Sequence, residues 1–138
     1  MNNVKRYLMQ IRLTDVRIQH LQRYVDELRE MLTDTGGTDY SKPRVKSSIS
    51  PDTMAERVVK IADIEKKIDR EVDRLIDIRD RIVWQIGRLD DPDEITVLEL
   101  RYVHMLKWEE IADKMGYSLR RVYQIHGAAL INFNKHCI

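Results

Sequence analysis

Apolar residues recur every seven positions along the first third of the chain. Val4, Ile11, Ile18, Val25 and Leu32 form one row; Tyr7, Leu21 and Leu28 form a second, with Thr14 its only polar member. Such a repeat puts both rows on one face of an α-helix, and that face must pack against another helix. The pattern stops at Asp34-Thr35-Gly36-Gly37-Thr38-Asp39, where the glycines suit the left-handed backbone of a helix end, and no period returns before Ser50. Residues 34–50 therefore read as a loop, and its cations Lys42, Arg44 and Lys46 as solvated.

A second helix is announced by Ser50-Pro51-Asp52: a capping hydroxyl, a proline at the first helical position and an acid favoured by the helix dipole. Ile61, Ile68, Leu75, Ile82 and Leu89 are again seven apart, and Ile64, Val72, Ile78 and Ile86 fill the accompanying row. Two such helices joined by a loop predict an antiparallel helical hairpin, or coiled coil, over residues 1–90. One two-helix seam is thin for rods of roughly 46 and 58 Å at about 1.5 Å per residue. Hairpins from two chains are therefore expected to pair into a four-helix bundle, a homodimer.

The period changes after Leu89. Asp91-Pro92-Asp93-Glu94 is another helix start, and Ile95, Leu98, Tyr102 and Met105 or Leu106 follow helical spacing, which predicts a helix of about fourteen residues before Lys107. From Trp108 the sequence runs WEEIADKMGYSLRRVYQIHG. Ile111 and Met115 suit a core, Ala112 a close helix crossing, Gly116 a turn of positive φ, and Ser118 the cap of a further helix. Val122, Ile125, Ala129, Leu130 and Phe133 would be its buried stripe, with Leu119, Arg120, Arg121, Tyr123, Gln124 and His126 facing outward. Residues 91–138 thus read as a helix-turn-helix domain, and the whole chain as all-α.

Composition agrees with helices: the chain is 34% charged, with three prolines, five glycines and one phenylalanine in 138 residues. The net charge of +1 makes no case for nucleic acid, but its distribution is uneven. Residues 1–50 carry nine Lys/Arg against six Asp/Glu and residues 51–89 nine against nine, whereas Gly116 to Ile138 hold Arg120, Arg121 and Lys135 with no acid at all. Arginine pairs bidentately with guanine and glutamine with adenine, and residues early in a recognition helix are the ones that reach base edges in the major groove. Arg120, Arg121 and Gln124 are thus the expected base readers of double-stranded DNA. Ser118, Tyr123 and the N–H groups of the turn suit phosphates, with Lys107 and Lys114 as weaker contacts.

Other chemistries find less support. His20, His104, His126 and His136 lack metal spacing, and Cys137 is the single cysteine, at an end expected to fray. No phosphate loop occurs, and the carboxylates alternate with cations rather than converging on a nucleophile, so no metal, cofactor or enzyme activity is expected. Trp84 and Trp108 read as core or interface aromatics. No run is long and apolar enough for a membrane span, and Met1-Asn2-Asn3-Val4-Lys5-Arg6 leads into no signal-like segment, which predicts a cytoplasmic location.

Residues 94–133 resemble sigma-70 region 4 through Leu98-Glu99-Leu100-Arg101-Tyr102, Trp108-Glu109-Glu110-Ile111-Ala112, Met115-Gly116-Tyr117-Ser118 and Val122-Tyr123-Gln124-Ile125. The whole chain, with Ser50-Pro51-Asp52 and Leu89-Asp90-Asp91-Pro92, is similar to small phage and prophage proteins of Gram-positive bacteria grouped with the ArpU and RinA type transcriptional regulators. That resemblance implies promoter binding and control of phage late genes. Leu119, Arg120 and Tyr123 depart from residues common in sigma factors, which implies a different DNA sequence. Two alternatives use the same segments: a DNA-packaging recognition subunit that places the helix-turn-helix in a ring, and a coiled-coil adaptor that binds RNA polymerase without reading DNA.

Overall fold

The computed structural model describes residues 3–33 and 50–137, and every regular element among them is a helix. The loop expected over 34–50, with Lys42, Arg44 and Lys46, lies outside the described residues apart from Ser50. Helix α1 (Asn3–Leu8) and helix α2 (Gln10–Thr33) are separated by Met9 alone. The bonds Met9 N–H to Lys5 O and Leu13 N–H to Met9 O keep helical spacing across that residue. Helix α3 (Pro51–Ile86) starts where the capping sequence places it: Ser50 Oγ accepts from Thr53 N–H at 3.2 Å. Helix α4 (Pro92–Leu98), a π-helical turn (Glu99–Val103), helix α5 (Trp108–Met115) and helix α6 (Leu119–His136) complete the chain.

The helices form a hairpin followed by a helix-turn-helix, and both heptad rows are turned inward. Every residue named in them is buried or half-buried, Thr14 included. The chain divides into two compact units, Val16–Asp73 and Met1–Asp15 with Arg74–Ile138. In the first, Val25, Leu28, Ile61 and Ile68 are buried among Ile18, Leu21, Leu32, Ile64 and Val72. Arg29 pairs with Glu65 at 2.7 Å, but both side chains are about half exposed, so the pair contributes at most about 1 kcal/mol. Burial of the aliphatic rows, at about 1.5–3 kcal/mol per fully buried side chain, holds this unit together.

The second unit has a core of mixed origin. Val4, Leu8 and Ile11 from the first helices, Ile78, Ile82 and Ile86 from α3, and Ala129, Leu130 and Phe133 from α6 pack in one cluster with Leu98, Tyr102 and Val103. Packing therefore groups the chain differently from the change of period after Leu89. The C-terminal end is a further departure: α6 continues to His136, and Cys137 is buried instead of frayed. Its thiol donates to the Gln85 carbonyl at 3.0 Å, while Gln85 Nε2 donates to the Cys137 carbonyl at 3.0 Å. The Gln85 Oε1 accepts from the Tyr7 hydroxyl, so one glutamine holds α1 and the end of α6 to α3.

Candidate nucleic-acid interface

Helix α4 begins as its sequence dictates, with Asp91 Oδ1 accepting from Asp93 N–H at 2.8 Å and Pro92 in the first turn. Glu94 in that turn is buried and accepts from Asn132 Nδ2 on α6, which satisfies an otherwise costly carboxylate and ties the two helices. The single helix of about fourteen residues expected here is replaced by α4, the π-helical turn and a sharp exit. His104 N–H bonds Glu99 O, one residue beyond helical spacing, and Met105 takes φ 58, a left-handed backbone that side chains oppose. Tertiary contacts stabilise the exit: Arg101 Nη1 donates to Leu106 O at 2.9 Å, and its guanidinium lies 4.4 Å from the Trp108 ring centre.

The turn between α5 and α6 follows from two residues. Gly116 sits at φ 69, and the bonds Tyr117 N–H to Ala112 O and Gly116 N–H to Asp113 O close the end of α5 in a Schellman arrangement. Ser118 then caps α6, its Oγ accepting from Arg121 N–H at 3.1 Å. Val97, Ile111, Ala112, Val122 and Ile125 are buried together beneath this turn. The angle between α5 and α6 is thus held by a core of its own.

Ser118, Leu119, Arg120, Arg121, Tyr123 and Gln124 are all exposed, and Lys107 and Lys114 are exposed at the two ends of α5. They are not equivalent. Arg121 and Gln124 line a hollow together with Asp91 and Glu94, and the Arg121 guanidinium lies 5.8 Å from the Tyr117 ring centre. Tyr117 donates to Asp93 Oδ2 at 2.9 Å, a bond that raises its pKa. Arg121 and Gln124 therefore stand beside the carboxylates of Asp91 and Glu94.

His126 does not face outward, which corrects the expectation for it. It hydrogen-bonds the Tyr102 hydroxyl at 2.6 Å and lies edge-on to Trp108, ring centres 4.6 Å apart. Burial, followed by the charges of Lys5 and Arg101, lowers its pKa to about 4, and burial raises that of Tyr102 to about 12. The imidazole is a neutral part of the packing at ordinary pH. Its position was legible: four residues after Val122 and three before Ala129, it falls within the buried arc of the helix. Tyr117, Asn132 and Arg101 were not singled out from sequence, because each acts through a neighbour 5 to 38 positions away.

Among the described residues no three His, Cys, Asp or Glu side chains come together as a metal site, and no helix is long and apolar enough to cross a membrane. Residues 91–132 match the family described as Sigma-70, region 4. That family is a DNA-binding type of helix-turn-helix, and the segment is similar to it. The region 4 match covers α4, the π-helical turn, α5 and most of α6, and so includes every exposed residue of the candidate surface. No curated protein and no solved structure matches the chain.

Proposed function

We propose that the region 4 segment binds double-stranded DNA in a sequence-dependent way and that the chain regulates transcription. The observation that carries this reading is the exposed start of α6, where Arg120, Arg121 and Gln124 stand on the first two turns beyond a rigid cap, over a core that fixes their helix. Arg120, Arg121 and Gln124 are the base readers, with Arg121 and Gln124 beside the hollow that Asp91 and Glu94 also line. Ser118, Tyr123, Lys107 and Lys114 contact the backbone, and Leu119 offers an apolar surface to a thymine methyl. Resemblance over the whole chain supports a role at phage or prophage late promoters, within the cytoplasm of a bacterial host. The region 4 match also favours contact with RNA polymerase beside the bound site.

The protein acts as a homodimer in this reading, on half-sites about 10 bp apart or a multiple of that. The test is selection of duplexes from a random pool by the full chain, followed by titration. A defined sequence is expected to be enriched, with affinity falling steeply between about 50 and 200 mM salt. Arg120→Ala and Gln124→Ala should each lose about 1–3 kcal/mol, roughly 5- to 150-fold, and relax the preference at one position. Failure to enrich any sequence, or unchanged binding by both variants, would remove the DNA-reading model.

A further inference from the structure

Trp84 is the most exposed large apolar side chain among the described residues, at 77%, on the outer face of α3. Val83 is exposed next to it and Ile76 two turns earlier on the same helix, and Val83, Trp84, Gly87 and Arg88 line a shallow hollow of about 250 Å³. Gly87 leaves the hollow open: a Cβ there would meet only the Val83 and Trp84 carbonyls of its own helix. An indole with this exposure does nothing for the core. Large apolar side chains displayed in this way mark surfaces that another molecule covers.

The charges beside the indole indicate which molecule. Asp80 lies one turn before Trp84 on α3, and Arg88, in the turn just beyond the end of α3 at Ile86, lines the same hollow as the indole, so an acid stands on one side of the tryptophan and a base on the other. All three are exposed, and neither Asp80 nor Arg88 has an ion-pair partner among the described residues. A two-fold axis through Trp84 reverses the direction of the second helix. It brings Asp80 of each copy opposite Arg88 of the other and sets the two indoles against each other, with both ion pairs formed at once. A patch that is complementary to itself fits a second copy of this chain.

We propose that this face, the last turns of α3 with the turn that follows it, is the interface of the homodimer, with Trp84 at its centre and two Asp80–Arg88 pairs at its rim. The proposal rests on the dimer reading above and names the surface responsible. Two indoles at about 150–250 Å² each supply the apolar centre. Stable pairs bury about 1,200–2,000 Å² in all, so neighbouring turns of α3 complete the contact and dimerisation depends on concentration.

Sedimentation of the full chain at on the order of 10–100 µM tests this, a range that resolves micromolar association. The wild type should approach twice the 16.4 kDa of one chain. Trp84→Ala should sediment as one chain with unchanged helical circular dichroism, since the indole is outside the core. Asp80→Arg alone and Arg88→Asp alone place like charges together and should weaken the dimer by tenfold or more. An equimolar mixture of those two variants restores opposite charges at both positions and should dimerise as the wild type does. A dimer intact in Trp84→Ala overturns the surface while leaving the dimer reading in place, and a mixture that stays monomeric overturns the Asp80–Arg88 register. A wild type that remains a single chain, or forms a ring of eight or more, overturns both readings.

Discussion

His126 has a measurable consequence at the scale of one residue. Its pKa is about 4 in the folded chain against an ordinary 6.5, because burial and the nearby Lys5 and Arg101 disfavour the imidazolium. Above pH 6.5 both folded and unfolded chains hold it neutral, and the stabilisation is complete. As pH falls from 6.5 towards 4 the unfolded chain takes up a proton that the folded chain refuses, so stability declines through that window and levels off below it. The urea midpoint measured between pH 7 and 5 should fall in the wild type and stay flatter in His126→Gln; equal slopes would remove His126 as the cause. Single residues are legible from sequence where their type fixes the backbone, as with Ser118 at its cap. For His126 the residue type decides nothing, because an imidazole suits a core and a ligand equally well, and the legible signal is its place on the helix between Val122 and Ala129.

Elements were legible wherever punctuation marks them. Ser50-Pro51 and Asp91-Pro92 begin helices because a side-chain oxygen and a fixed φ make the first turn favourable, and the structure places both caps there. Gly116 ends α5 for an equally local reason. At φ 69 with nothing within 4 Å of an added Cβ, Gly116→Ala meets no steric neighbour and suffers only the backbone penalty. A loss of about 1–2 kcal/mol in thermal or urea unfolding is expected. Retention of full stability would mean the turn does not need its left-handed residue. The π-helical turn after α4 carries no such mark. Glu99-Leu100-Arg101-Tyr102-Val103 would make an ordinary helix, and its widened hydrogen bonding depends on Arg101 reaching Leu106 and Trp108.

At the scale of the whole molecule the paired rows of the hairpin could be read directly, because a seven-residue repeat names its own partner face. The partner of the second half of α6 could not. Ala129, Leu130 and Phe133 form an apolar stripe whichever helix covers it, and the structure packs them with Val4, Leu8, Ile11, Ile82 and Ile86 as well as with Leu98, Tyr102 and Val103. A fragment of residues 91–138 therefore loses the part of this cluster that α1, α2 and α3 supply, and α6 serves both the proposed DNA-reading surface and this core. Such a fragment should show little cooperative unfolding and weak helical circular dichroism, whereas residues 1–138 unfold cooperatively. A fragment as stable as the full chain would show that the shared core is dispensable.

The burial of Cys137 carries one more consequence. Its thiol, hydrogen-bonded to Gln85 O and raised in pKa by burial, is shielded from alkylating reagents for as long as the last turn of α6 stays seated. The single sulfhydryl of this chain is thus a native clock for the lifting of that turn: its labelling rate reports how often the clasp at Gln85 opens.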